Sequence, residues 1–426
     1  MNQYMNTIKN YATKNVITIL FLGLSIIFMI VSGMGGHLYA TDIVNRVSRN
    51  LFLVLALIIP VSAGMGLNFS IVTGAMVAQA VIIAVTHFGQ YYGHWIFLDH
   101  WGILTCAILV TPLAILVGYF VGSLFNRTKG QEMITGLILG FFAAAIYMFI
   151  FLQLVGGAIP MDNPILVLSQ GVGIRTTIDL SGYLRYGLDD LWRVELPIMF
   201  IVFGVLLALY RVVTFIRAKA DRVSLAQLIY SVVLALIAVG VGIGLTVTDS
   251  VYRTVQAPAA TWLVIIAMCL FITFFQRTKL GQDMRSVGQD RHVAAVSGLA
   301  VNKIRVKAVI YSTVLAAWGH IIFLQNMGAF STYGSYNQVG FYSVAAILIG
   351  GATVTKANIG HAILGVFLFH TLFIFAPSAG RQLFGDAQIG EYFRVFVVYG
   401  VIGFTLALYA WKTKMQGKQL LSKKDS

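Results

Sequence analysis

Residues 132–156 read EMITGLILGFFAAAIYMFIFLQLVG: an acid at the first position, then no charge as far as Gly156. At 1.5 Å per residue, a helix of this length crosses the roughly 30 Å hydrocarbon core of a bilayer. Inside lipid, backbone N–H and C=O groups must be satisfied within the segment, and an unbroken apolar run of this kind does so only as a helix. Working outward, the chain carries further apolar runs at 16–34, 51–65, 70–87, 101–125, 197–215, 225–246, 259–275, 306–327, 339–353, 358–376 and 391–411. The expected fold is all-α, a polytopic transmembrane helical bundle of about 12 spans. Pro60 interrupts the second run, and the helical pattern is expected to break near 60–70 and again near 350–356.

Composition agrees. Of 426 residues, 58% are apolar and 10% charged, against roughly 25% charged in soluble domains. There are 42 Gly but only 7 Pro, and small residues let membrane helices approach closely. The pairs Gly118/Gly122, Gly136/Gly140 and Gly240/Gly244 are therefore expected at helix–helix contacts. Cys106 and Cys269 lie in apolar runs, where packing is their expected role. The run 16–34 follows Lys9 and Lys14 but is too long for a secretory h-region, so it reads as an uncleaved first span.

A net charge of +14 raises nucleic acid as a partner, but the positive residues cluster at the ends of apolar runs, so no nucleic acid is expected. With both termini on one side, most Lys and Arg fall on that side: Arg127 and Lys129, Arg217, Lys219 and Arg222, the group from Arg277 to Lys307, and the tail with Lys412, Lys414, Lys418, Lys423 and Lys424. That is the positive-inside pattern, and it places the N- and C-termini in the cytoplasm of a cell that carries the chain in its inner membrane. Arg46 and Arg49 dissent, lying on the outer side after the first run.

Within a single membrane domain, 1–426, three segments stand apart. Residues 157–196 form an outer insert with Thr176, Asp179, Tyr183, Arg185, Tyr186, Asp189, Asp190 and Trp192. Leu184, Leu188 and Leu191 recur there at helical spacing and predict an amphipathic surface helix. Residues 412–426 read as a flexible basic tail. Residues 277–305 form the longest inner loop. There Asp290 is placed to cap a short helix ending at Ser297, with Gly298 in the left-handed position beyond it, and Asn302 to cap the next span. Gly288 is expected at a sharp turn between two helical pieces. Arg285, Asp290 and Arg291 with Val287, Ala294 and Ala295 are expected to be exposed, either as a solvated connector or as a docking element.

The loop resembles the cytoplasmic coupling segment of ABC-importer permeases of the branched-chain amino acid, simple-sugar and nucleoside type. The resemblance rests on Gly281, Arg285, Val287, Gly288, Ala294, Ala295, Gly298, Val301 and Lys307, with Ser286 in place of the family's usual Ala. Gly350-Gly351 is similar to that family's Gly-Gly at a late helix break, and Gly66–Gly74 to an element of its sugar branch, with Asn68 where Asp is common. A second Gly-Gly is missing from the next run, and 157–250 looks like an elaboration. The resemblance implies a permease subunit that passes a small polar solute, a simple sugar favoured, with nucleosides and branched-chain amino acids open. It also implies a second permease subunit, identical or homologous, a dimer of cytoplasmic ATPases carrying ATP-Mg, and an extracytoplasmic solute-binding protein. Arg285, Val287, Gly288, Asp290, Arg291, Ala294, Ala295 and Gly298 would couple to the ATPase.

Freed backbone at the breaks, with Asn68, Ser70, Thr73 and Gln79, with Gln325 and Asn326 near the outer face, and with Gly350 and Gly351, is the expected solute pathway, interhelical hydrogen bonding being the other reading. No phosphate-binding loop, no Gly-x-Ser-x-Gly elbow and, in the spans, no paired carboxylates occur, so the chain itself is expected to be no enzyme and to bind no cofactor. His87, His94, His100, His320, His361 and His370 lack acidic partners at ligand spacing, so no metal site is expected. An ion- or proton-coupled secondary transporter is the alternative. It is disfavoured by the absence of Asp and Glu from mid-span positions, where such carriers place ionisable groups.

Overall fold

The structure, a computed structural model, describes residues 16–91, 101–128, 130–169, 171–180, 184–217, 225–248 and 250–422. Tyr183, His94, His100, Lys129, Lys219, Arg222, Lys423 and Lys424 lie outside the described residues. Every one of the expected apolar runs is helical: α1 Val16–Ser32, α2 Gly36–Leu55, α3 Ile58–Ser62, α4 Ile71–Val85, α5 Trp101–Arg127, α6 Glu132–Phe149, α7 Leu196–Arg217, α8 Leu225–Val247, α9 Ala259–Phe275, α12 Val301–Met327, α13 Ser335–Ile349, α14 Ile359–Phe384 and α15 Ala387–Ser422. Two short helices, α10 Lys279–Gln289 and α11 Arg291–Val296, join α9 to α12. Eight helices among the described residues are long and apolar enough by themselves to cross a membrane, nine if α9 and α10, bent by 73°, count as one span. The chain is a multi-pass membrane protein.

The spans sort into an inner and an outer set. Buried positions make up 83% of the apolar stretch of Gly36–Ser62 but 22% of that of Gly102–Arg127 and 17% of that of Ile229–Val247. The outer helices present Leu, Ile and Phe outward, the pattern of a surface solvated by lipid. Helices α7 and α8 form a peripheral hairpin. Of the three glycine pairs, Gly118 and Gly122 do join helices: a Cβ on Gly122 would lie 2.9 Å from Val306 Cα of α12. Gly136 meets Phe125 and the Ser70 backbone. Gly140, Gly240 and Gly244 face open space. The α7–α8 contact uses Gly204 and Gly242, whose Cβ atoms would meet Ala235 O at 2.7 Å and Pro197 O at 2.6 Å.

Several expectations are corrected. Helix α2 begins at Gly36, well before the apolar run, because Ile43, Val44, Val47 and Leu51 bury one face while Asp42, Arg46 and Arg49 share another. The predicted amphipathic helix around Leu184–Leu191 is a series of turns. Tyr186 takes a left-handed φ of 54°, which ends an α-helix, and its N–H donates to Gln325 O at 2.9 Å. The 157–196 segment is held instead by two short antiparallel ladders, β1 Thr177–Asp179 with β4 Ala329–Ser331 and β2 Arg193–Glu195 with β3 Gln256–Pro258. Helix α15 runs on to Ser422, so residues 412–422 extend a helix rather than forming a loose tail. Asn302 is not a cap: α12 starts one residue earlier, and the Asn302 carbonyl accepts from Asn126 Nδ2 at 2.9 Å.

This packing makes two opposite predictions for the same substitution. Gly122→Ala places a methyl against α12 backbone and should cost about 1–3 kcal/mol. Gly240→Ala, on an open face, should gain up to about 1 kcal/mol through helix propensity. Unfolding midpoints of the two variants in one detergent should move in opposite directions. A shared direction would contradict the packing.

Candidate functional site

The site grows from a missing donor. Pro60 has no N–H, so the Ala56 carbonyl, four residues before it, loses its helical partner. The hydroxyl of Ser312 on α12 donates to that carbonyl at 3.1 Å, and Asn68 Nδ2 donates in turn to Ser312 Oγ at 3.2 Å. Asn68 Oδ1 accepts from both the backbone N–H and the hydroxyl of Ser70, and Thr73 Oγ1 donates to Ser70 O at 2.7 Å. The chain between α3 and α4 is thus open at 63–70, as the sequence predicts, and tied to α12. The second break is also present: Gly351 has a φ of 94°, and Thr353 and Lys356 close a turn before Asn358 caps α14. The two breaks adjoin, since a Cβ on Gly66 would lie 3.0 Å from Val354 Cγ1. At Gly350 a Cβ would collide with His361 O.

Helices α10 and α11 rest on the first break. Gly288 lies inside α10, not at a turn. It is glycine because a Cβ there would sit 2.2 Å from Ser62 O, and Gly64, at a φ of 70°, presses its own Cα side against Gly288. Asp290 caps α11 as expected, accepting from His292 N at 2.8 Å and Val293 N at 3.0 Å. The Val293 and His292 N–H groups hold its carboxyl below the usual carboxylate range, so the cap persists at neutral pH and is lost only as pH falls through that lowered value. Gly298 follows at a φ of 84°. The expected exposure is revised. Arg285 and Ala295 are exposed, but Val287 and Ala294 are buried in the main core. The outward apolar residues of α11 are Val293, 59% exposed, and Val296, 77% exposed.

Arg291 is anchored. Its guanidinium donates to Gly64 O at 2.8 Å and pairs with Glu132 at 2.9 Å. Arg305, fully buried, pairs with the same Glu132 oxygen and approaches Phe125 O. Glu132 therefore joins α6, α11, α12 and the broken backbone at Gly64. Sequence reading missed this centre. Its signal was two lone charges, Glu132 and Arg305, at the edges of apolar runs.

The other predicted pathway residues lie elsewhere. Gln325 and Asn326 are thirteen and fourteen residues beyond Ser312, about 20 Å along α12. They bind Asp189: Gln325 Nε2 donates to Oδ1 at 2.9 Å and Asn326 Nδ2 to Oδ2 at 2.6 Å. Gln79 Nε2 donates to Ser331 O at 3.3 Å. The candidates thus form two separate groups: Asn68, Ser70, Thr73, Gly350 and Gly351 by the breaks, where Asn68 meets the middle of α12, and Gln79, Gln325 and Asn326 by the 157–196 segment at the end of α12. Among the described residues, no three potential metal ligands gather.

Residues 180–406 match the family described as branched-chain amino acid transport system, permease component. The chain belongs to that family. The matched stretch takes in the 277–305 segment, the break at Gly350–Gly351 and most of 157–250, and leaves Gly66–Gly74 outside. Two relatives are ABC permeases by name. The probable ABC transporter permease protein YphD of Escherichia coli (strain K12) is 25% identical over 113 residues, 26% of this chain and 34% of the relative. The nucleoside ABC transporter permease protein NupC of Lactococcus lactis subsp. cremoris (strain MG1363) is 27% identical over 161 residues, 38% of this chain and 48% of the relative. The chain thus aligns with between a third and a half of these relatives' lengths. No solved structure matches. The resemblance to ABC-importer permeases of the branched-chain amino acid, sugar and nucleoside type therefore holds, and the chain is a permease component.

Removing the Glu132 charge tests the anchor of this family member. Glu132→Gln strands Arg305 in the core and should destabilise by about 3–5 kcal/mol. Adding Arg305→Met should recover most of that loss. Thermal unfolding in detergent measures both, and a single variant as stable as wild type would refute the buried pairing.

Proposed function

We propose that this chain is the membrane-spanning subunit of an ABC importer and forms the pathway for a small polar solute, with a simple sugar the leading class. Energy comes from a separate pair of cytoplasmic ATPases that carry ATP-Mg, and the chain binds no cofactor itself. The 277–305 segment is the cytoplasmic coupling element, the N- and C-termini share its side of the inner membrane, and 157–196 faces an extracytoplasmic solute-binding protein. A second permease subunit completes the pathway. The observation that carries this reading is how α10 and α11 are held. One side of the pair is fixed by Gly288 and Arg291 to the backbone break at Ser62–Gly64, and the other exposes Arg285, Val293 and Val296. A push on the exposed side reaches a backbone break lined by Asn68 and Ser70.

The mechanism follows from that linkage. ATP-driven closure of the ATPases displaces α10 and α11, and Arg291 passes the displacement to Gly64 and Glu132. Each nucleotide state then favours one arrangement of the breaks at 63–70 and 350–356, and the difference in binding between the states is what moves the equilibrium. Freed backbone and the Asn68 amide offer polar contacts to a solute as it passes.

The test separates docking from folding. Arg285→Glu with Val293→Asp and Val296→Asp changes only exposed side chains. It should leave the unfolding midpoint unchanged, abolish co-purification of the ATPase and abolish uptake in vesicles. Intact assembly and uptake would sink the coupling role. The isolated chain should hydrolyse no ATP.

For the pathway, Asn68→Leu removes a donor and an acceptor. With insertion intact it should slow uptake about tenfold or more, the factor expected for one lost hydrogen bond of about 1.4 kcal/mol. Wild-type uptake would make Asn68 a purely structural bridge to Ser312.

A further inference from the structure

Arg46 and Arg49 break the positive-inside pattern, and the structure shows where they go. They lie on α2 some sixteen and thirteen residues before Ser62, about 20–24 Å from the 277–305 end. There they line a polar cavity of about 320 Å³, within the roughly 300–1,000 Å³ usual for small-molecule sites. Its other walls come from the 157–196 segment, from β3 and from Asn326 of α12.

Acids and arginines around this cavity are equal in number once Asp190 is counted, but only Arg193 is paired directly. Arg193 is paired with Asp190 at 2.6 Å. Asp189 is 2% exposed and committed, accepting from Thr261 and Gln325 at Oδ1 and from Asn326 at Oδ2. Asp42, a turn before Arg46, is exposed at the rim. Neither Arg46 nor Arg49 forms an ion pair among the described residues. Arg49 is placed worst. Its Nε is buried with no hydrogen-bond partner, its Nη1 meets only the thioether of Met327 at 2.8 Å, and its guanidinium stands over the Phe323 ring. Two guanidiniums three residues apart on one helix face repel each other, and a desolvated guanidinium calls for an oxyanion to fill its fork.

We propose that this cavity is a binding site for a small carboxylate- or phosphate-bearing anion, held by Arg46 and Arg49. Asn45 and Asn326, which also line it, supply neutral donors. The site is separate from the backbone breaks and does not rest on the ATPase reading, because occupancy is measured on this chain alone.

Isothermal titration of the full chain in phosphatidylcholine nanodiscs tests it, with succinate and glucose 6-phosphate as probes and glucose as the uncharged control. The expected result is saturable binding of at least one anionic probe and none of glucose. Arg46→Gln or Arg49→Gln should weaken binding about tenfold or more, while Arg49→Lys, which keeps the charge, loses less. Arg46 is only partly buried, so Arg46→Gln serves if Arg49→Gln does not fold. In a second arm, nanodiscs containing phosphatidylglycerol identify the source. Retention of that lipid by the wild type but not by Arg46→Gln, with no soluble probe bound, makes the anion a headgroup phosphate and supports the site. The proposal is overturned if neither probe nor lipid binds, if binding survives both Gln substitutions unchanged, or if glucose binds as well as the anions.

Discussion

A single carboxylate, that of Glu132, sits against two guanidiniums at one end of the bundle, and the rest of the architecture there depends on it. Arg305 is fully buried and Glu132 nearly so. Taking such groups out of water costs several kcal/mol each unless their partners are well placed. The pairing can exist only if the start of α6 meets the start of α12 and α11 folds back far enough to bring Arg291 to the same oxygen. One electrostatic requirement therefore ties the ends of two spans to a surface helix. It also pins α11 to the Gly64 carbonyl, in the backbone opened by Pro60 and its neighbours.

The second organising element is α12. Ser312, near its middle, takes the carbonyl that Pro60 leaves without a donor, while Gln325 and Asn326 at its far end hold Asp189 of the 157–196 segment. Arg305 lies near its start. A single helix thus carries polar contacts to both ends of the molecule, and all of them reach partners distant in sequence. Buried residues cover most of its circumference, and Lys303, Lys307, Tyr311 and Trp318 form one exposed stripe.

The helices were legible because apolar length in lipid has one solution, and the breaks because Pro60, Gly64, Gly66 and Gly351 cannot all continue a helix. The Asp290 cap and Gly298 were legible because capping is local chemistry. What could not be read were facts of tertiary proximity. Gly288 looks like a turn residue until Ser62 is seen 2.2 Å from where its Cβ would be. Val287 and Ala294 look exposed in a charged loop until the core is seen beneath them. The leucines at 184, 188 and 191 have helical spacing, but Gln325 accepts the N–H groups of Tyr186, Leu188 and Asp189 and the chain turns. The start of α2 was hidden because Asp42, Arg46 and Arg49 interrupt the apolar run even though Ile43, Val44 and Val47 bury a face.

The two short ladders also bear on how the molecule is made. Strand β1 at Thr177–Asp179 pairs with β4 at Ala329–Ser331, about 150 residues later in synthesis. At translation rates of about 5–20 residues per second, β1 leaves the ribosome some 8–30 seconds before its partner strand. Throughout that interval the segment has no ladder to join, and its open strand edge is available to any other chain with a free edge. This ladder is thus made late, after α7, α8, α9 and α12 have been threaded, and the order of insertion itself becomes a condition for reaching the native arrangement.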